Sequence, residues 1–168
     1  KNILAFDTAM NHCSVAVCAA ESKATRSLPM AQGHAEHLVP VIQAVLQEAR
    51  VSFDDLQAIV TTVGPGAFTG LRIGISTAKG LALSLGVPLF GITTTQALAL
   101  QYAMEKKPDR SIAVILETKR QDFYFQPFDS KSQPLMAPEA LSAQDIAARL
   151  QEGEWVAVGD AGQRFRAA

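Results

Sequence analysis

The sequence predicts an α/β fold built by duplication, with a mixed sheet flanked by helices in each of two lobes and the second lobe incomplete. Three observations predict it. Segments of strand and helix periodicity follow one another as strand, strand, strand, helix, strand, helix through the first half. The same order restarts in the second half, where the chain reaches Ala168 before a closing helix. Apolar residues make up 48% of the 168, enough for a packed core in one domain or in two small lobes.

In the first half, Ile3-Leu4-Ala5-Phe6-Asp7-Thr8 reads as a buried strand ending in a polar turn. Alternation then predicts strands over 13–19 and 24–28, joined by Glu21-Ser22-Lys23 into an antiparallel meander. Leu38, Val41, Ile42, Val45, Leu46 and Ala49 recur at helical spacing, and Pro40 suits a first turn, so a helix is predicted over 39–50. A strand over 56–63, the tight turn Gly64-Pro65-Gly66 and a long helix over Phe68–Leu85 follow. Gly86 and Pro88 stand where helix stop signals belong.

A connecting strand over Leu89–Ile92 and a helix over 95–106 lead into the second half. There 112–116 and Phe123–Phe128 read as a hairpin around Lys119-Arg120, with a third strand near 134–136. Ser142 is placed to cap a helix reaching Leu150, and Trp155–Val158 reads as a strand entering Gly159-Asp160-Ala161-Gly162. Lobe boundaries are expected at 1–106, connecting helix included, and 107–168.

Several function classes are disfavoured. Lys plus Arg number 15 against 16 Asp plus Glu, so the bulk charge of −1 does not suggest tight autonomous binding to a polyanion. Lys106, Lys107, Arg110, Lys119 and Arg120 read as solvated turns. Cys13 and Cys18 point to opposite strand faces and are expected as free thiols. Lys1-Asn2 passes straight into a strand, and Arg72 and Lys79 interrupt the longest helical apolar stretch, so neither a leader nor a membrane span is expected. A reducing cytoplasm is the expected setting.

The long helix carries the most information. Gly70, Gly74, Ala78 and Ala82 recur every four residues and leave one ridge almost bare, so another backbone can come close. Gly70, Gly74 and Gly80 together cost the helix about 3 kcal/mol relative to alanine, which close packing is expected to offset at all three. The ridge seats either on the chain's own sheet or on another polypeptide. A separate stripe, Arg72, Ser76, Lys79 and Leu83, carries the only charges of the helix and should face solvent, a partner or a cleft.

Gly64 and Gly66 lie between a strand and a helix, where backbone N–H groups can cradle an anion. No Gly-Lys-Ser or Gly-Lys-Thr closes the loop, and Pro65 removes a donor. Asp7 and Thr8 end the first strand, where a carboxylate either reaches a nucleotide-bound metal through water or caps the turn through Ala9. His34 and His37 lack the spacing of zinc peptidases and a third ligand, so no metal site is expected. Ser14 and Ser76 lack an identifiable base, and no catalytic residue is expected.

The runs Ile3 to Asp7-Thr8-Ala9, Cys13-Ser14-Val15-Ala16-Val17, the block from Gly64 to Gly74 and Ala78-Lys79-Gly80-Leu81-Ala82 resemble the TsaB (YeaZ) family. The likeness covers the first lobe and, more loosely, the chain to Gly162. It implies an actin-like fold shared with sugar kinases and Hsp70, and a role in forming N6-threonylcarbamoyladenosine at position 37 of tRNAs that read ANN codons. It implies pairing with the homologous catalytic subunit TsaD and with the ATPase TsaE, through the first two helices.

On this chain the docking residues would be Val39, Ile42 and Leu46 on the first of those helices, and Gly70, Arg72, Gly74, Ser76, Lys79 and Leu83 on the second. No intrinsic cofactor is expected, with ATP or ADP lodged at the interface of the complex and tRNA reached only through it. A homodimer through the same helices is the expected alternative without the partner. Where the catalytic relative carries two metal-binding histidines four residues apart, this chain reads Thr93-Thr94-Thr95-Gln96-Ala97-Leu98-Ala99, which suggests an inactive homologue. The rival reading is a nucleotide hydrolase using Asp7 and the Gly64 turn, or a glycoprotease-like peptidase, acting alone.

Overall fold

Residues 1–168 are described by a computed structural model, in which the chain divides into two units, Lys1–Ile92 and Thr93–Ala168. In the first unit, β1 (Ile3–Asp7), β2 (His12–Cys18) and β3 (Lys23–Pro29) form the expected meander. After α1 (His34–Ala49) come a short 3-10 turn at Phe53–Asp55, β4 (Ala58–Thr62), α2 (Phe68–Leu85) and β5 (Leu89–Ile92). The sheet order is β3-β2-β1-β4-β5, with β1 antiparallel to β2 and parallel to β4.

Period-two burial along β2 aims Cys13, Val15 and Val17 at the same side as Leu4, Phe6 and Ile59. Both helices cover that side: α1 contributes Leu38, Ile42, Val45 and Leu46, and α2 contributes Ala78 and Ala82. The 3-10 turn is fixed at Ser52, whose backbone N–H and hydroxyl both donate to Asp55 Oδ2. Those bonds hold the Asp55 carboxyl below its ordinary pKa.

The second unit begins with α3 (Thr94–Lys106) and continues through β6 (Ser111–Glu117), β7 (Phe123–Phe128), β8 (Glu139–Leu141), α4 (Ala143–Arg149), β9 (Trp155–Val158) and α5 (Gly162–Ala167). Its sheet order, β8-β7-β6-β9, maps strand for strand onto β3-β2-β1-β4 of the first unit. The crossovers agree too, since β6 pairs antiparallel with β7 and parallel with β9. The duplication read from the sequence is therefore present in the topology, and, against the expectation that the chain reaches Ala168 before a closing helix, the short α5 stands at that place. Ile115, Phe123, Phe125 and Ile146 centre the core of this unit, with Phe165 packed against it.

Four expectations are corrected. α1 starts at His34 rather than at residue 39, because Gly33 adopts a left-handed conformation and its carbonyl accepts from Glu36 and His37 N–H. Pro40 thus sits inside the helix, on its exposed side, where water can reach the carbonyl its missing N–H leaves unpaired. The third strand of the second unit is Glu139–Leu141 rather than 134–136, since Pro134 makes only an isolated bridge to Phe128 and has no N–H with which to extend a ladder. The helix at Thr94–Lys106 belongs to the second unit, where it packs on β6, β7 and β9, so the division falls at 92/93 rather than at 106/107. Within that unit, Ser132 Oγ donates to Ala99 O (3.1 Å) and the Thr95 hydroxyl bonds the Gln126 side chain.

Candidate docking face on the second helix

The start of α2 is clamped to the end of β1. Ala67 N–H donates to Ala9 O at 2.7 Å and Thr8 Oγ1 donates to Gly70 O at 2.7 Å. A Cβ on Gly66 would stand 2.5 Å from Ala9 O, on Gly70 2.0 Å from Thr8 O, and on Gly74 2.6 Å from Thr8 Oγ1. These glycines are needed so that the helix can lie against the strand-end backbone. The bare ridge of Gly70, Gly74, Ala78 and Ala82 is buried on the chain's own sheet. The expected partner contacts at Gly70 and Gly74 are corrected accordingly: no other polypeptide can reach them.

The same clamp occupies the four residues read as a nucleotide cradle. Asp7 Oδ1 accepts from Ala9 N–H (3.2 Å) and from the Thr62 hydroxyl, which is the turn-capping alternative rather than a free carboxylate. Thr8 is buried with its hydroxyl already donated. Gly64, at φ 107°, makes the bend that leads into the helix, and Gly66 is pressed on Ala9.

On α1, Ile42 is 0% and Leu46 3% exposed, so both belong to the core and not to a docking surface. Their spacing suits either face, and the sheet claims them first. Val39, at 42% exposed, does face out.

The stripe on the opposite side of α2 stands clear of the unit. Arg72, Ser76 and Lys79 are exposed, and Leu83 is 86% exposed. Two further members of this face are Phe68, which the sequence reading missed, and Gly80, whose expected close packing is corrected. Phe68, 68% exposed, lies one turn before Arg72, whose guanidinium sits 4.1 Å from the ring centroid. Gly80 is exposed, and a Cβ there would meet nothing within 4 Å. Gly80 therefore costs α2 about 1 kcal/mol that no contact within this chain recovers. Its i−4 and i+4 neighbours, Ser76 and Ser84, are exposed as well, which is the signal that could have found it. Burying a leucine or phenylalanine side chain yields about 1.5–3 kcal/mol, so this face gains from being covered.

Other chemistry-bearing residues are structurally engaged. His34 Nε2 donates to His12 O (3.1 Å) and His37 Nδ1 to Gly33 O (2.9 Å), which fixes the entry into α1. No three His, Cys, Asp or Glu side chains converge as metal ligands would. Cys13 is buried and Cys18 exposed, both free, and burial, with Asp7 adding to it, pushes the Cys13 thiol above its usual pKa. Thr93 Oγ1 accepts from Gln96 N–H (3.0 Å), so the threonine run caps α3. Arg164 donates to both carboxylate oxygens of Glu117 at 3.0 and 2.8 Å and to the carbonyls of Arg120 and Asp122, holding α5 to the β6–β7 hairpin. No helix is long and apolar enough to cross a membrane.

Known proteins of similar sequence and fold identify the family. The family model described as TsaD, tRNA N6-adenosine threonylcarbamoyltransferase, matches residues 29–153. The tRNA threonylcarbamoyladenosine biosynthesis protein TsaB of Buchnera aphidicola is 33% identical over 98% of this chain and 80% of its own length. YeaZ from Pseudomonas aeruginosa superposes with a TM-score of 0.87 at 26% identity, covering 95% of this chain and 76% of that one. For fold alone, component A of (R)-2-hydroxyglutaryl-CoA dehydratase from Acidaminococcus fermentans gives a TM-score of 0.54 at 11% identity, over 91% of this chain and 55% of that one. The paired mixed sheets are thus those of the actin-like ATPase fold, and with a third of its residues shared along almost its whole length with a named relative, the chain belongs to the TsaB (YeaZ) family.

Proposed function

We propose that this chain is a non-catalytic scaffold subunit that pairs with a TsaD-like transferase, and with a TsaE-like ATPase, to form N6-threonylcarbamoyladenosine at position 37 of tRNAs reading ANN codons. The observation that carries this reading is the outer face of α2. A helix whose inner ridge is fully engaged leaves Phe68 and Leu83 in water and keeps a bare Gly80 between them.

The relatives' names supply the pathway, since they describe biosynthesis of this nucleoside on tRNA. The chain itself is assigned no chemistry. At 93–99 it carries threonine, glutamine, alanine and leucine in place of a histidine pair, and the polar groups of the Asp7–Gly70 region are committed to holding α2. In this reading ATP or ADP lodges at the surface the complex creates, tRNA is reached through the complex, and the assembly works in the cytoplasm.

Sedimentation velocity of the chain mixed with its purified transferase tests the proposal. A heterodimer is expected, weakened about tenfold or more by Leu83→Asp, because that change removes about 1.5–3 kcal/mol of burial and buries a charge. Association indifferent to the substitution counts against docking through α2. Turnover of ATP or peptide by the isolated chain favours the independent hydrolase or peptidase.

A further inference from the structure

We propose that the first turn of α3 holds one small buried ligand, an acceptor the size of a water molecule or a halide ion, bound by Thr94 and Thr95. The site lies within the second unit and is independent of the docking face on α2.

The first N–H groups of a helix have no acceptor inside it, so each needs a side chain, a water or a ligand. At α3 the protein serves Gln96, whose N–H donates to Thr93 Oγ1 at 3.0 Å. Thr94 N–H and Thr95 N–H meet no protein acceptor. They are also shut away from solvent, since Thr94 is 2% and Thr95 0% exposed. In α2 the same two positions, Phe68 and Thr69, are open to water.

The Thr94 side chain adds a second, independent sign. Its Oγ1 is buried and has no hydrogen-bond partner, whereas buried hydroxyls are nearly always bonded. Only Cα and Cβ separate it from its own amide nitrogen, so hydroxyl and amide open on the same point. The neighbouring polar groups are spent on one another. The Thr93 and Thr95 hydroxyls lie 3.1 Å apart, the Thr95 hydroxyl bonds the Gln126 side chain, and Gln126 Nε2 donates to Met136 O at 2.7 Å. Two amides and one hydroxyl are thus left to share an acceptor that the chain does not supply.

Burial and polarity select its kind. A phosphate or carboxylate would bring further oxygens that need solvent or donors of their own, and this turn offers neither. A halide suits the positive end of a helix. A water suits it as well, because Thr93 Oγ1 and Gln126 Oε1 each keep a lone pair for its hydrogens.

NMR of the isotope-labelled full chain tests the site and tells the two ligands apart. A bound water gives water-to-amide cross-relaxation at Thr94 and Thr95, and a halide gives shifts at those two amides when bromide replaces chloride at constant ionic strength. One of these responses is expected, and Thr94→Ser, which keeps the hydroxyl, is expected to retain it. Thr94→Val removes the hydroxyl with little change of shape and is expected to lower the folding constant about fivefold in urea denaturation, as loss of a bonded hydroxyl does. Amides that show neither response overturn the proposal without recourse to a variant. So does a Thr94→Val chain as stable as its parent or more so, because deleting a hydroxyl that has no ligand relieves a buried polar group.

Discussion

Replacing Gly70 and Gly80 by alanine, one at a time, separates the two sides of α2 by the sign of the effect. A Cβ on Gly70 would meet Thr8 O at 2.0 Å, so the helix must retreat by about an ångström before any real contact distance is reached. That retreat strains the Thr8–Gly70 and Ala67–Ala9 hydrogen bonds, both 2.7 Å long. Overpacking costs about 1–3 kcal/mol and a broken buried hydrogen bond about 1–3 more, against a gain of about 1 from alanine's helix propensity. A net loss of about 3 kcal/mol is expected for Gly70→Ala.

Gly80→Ala meets nothing, so only the propensity term remains, and the isolated chain should gain about 1 kcal/mol. Urea denaturation followed by far-UV circular dichroism measures both. A Gly70→Ala protein as stable as the parent would refute the seating of the ridge on β1, and a destabilised Gly80→Ala protein would refute the open face.

Further outcomes follow from the same geometry. Arg164→Ala removes the grip on Glu117 and the hairpin carbonyls, and should destabilise the second unit by about 1–2 kcal/mol, read from Trp155 fluorescence; an unmoved transition would show α5 to be energetically idle. Thiol labelling at neutral pH should modify exposed Cys18 within minutes and spare Cys13 until the chain unfolds, with equal rates counting against the burial. The Cys13 proton is bound more tightly in the folded state, so its contribution to stability is complete below the ordinary thiol pKa and declines as pH rises through the folded value. A Cys13→Ser variant should show a shallower alkaline decline than the parent. Asp55 runs the opposite way: its carboxyl is held low by Ser52, so its contribution is present at neutral pH and lost on acidification, which NMR titration of Asp55 beside Ser52→Ala would show.

Much of this was legible before any coordinates. The bounds of α2 agree with the structure at Phe68 and Leu85, because a glycine turn opens the helix and Gly86, in a left-handed conformation, closes it. The repeat of strand order was visible as periodicity, and the sheets reproduce it. What the periodicity could not decide is which side of α2 meets the sheet. Two sets of small residues recur every four positions, one through Gly70, Gly74, Ala78 and Ala82 and one through Ser76, Gly80 and Ser84, and pattern alone does not rank them. The Thr8–Ala9 turn ranks them, and it lies some sixty residues away in sequence. The same long-range choice drew Ile42 and Leu46 inward while leaving Val39 outside.

The start of α1 was hidden because its opening depends on the left-handed Gly33 and on His34, which turns inward to the His12 carbonyl. The place of α3 was hidden by its mixed composition. Thr95 and Ser132 bind it to the second unit through hydrogen bonds, which leave no trace in a hydrophobic pattern.

The central claim is that the chain acts by docking and not by catalysis, and reconstituted tRNA modification with purified transferase and ATPase subunits tests it most directly. Modification should depend on adding this chain, fall sharply with Leu83→Asp, and return when the variant is supplied at about tenfold or greater excess, as mass action requires of a weakened contact. Modification at full rate with the Leu83→Asp chain at equal concentration, or a loss that no excess restores, would contradict the account.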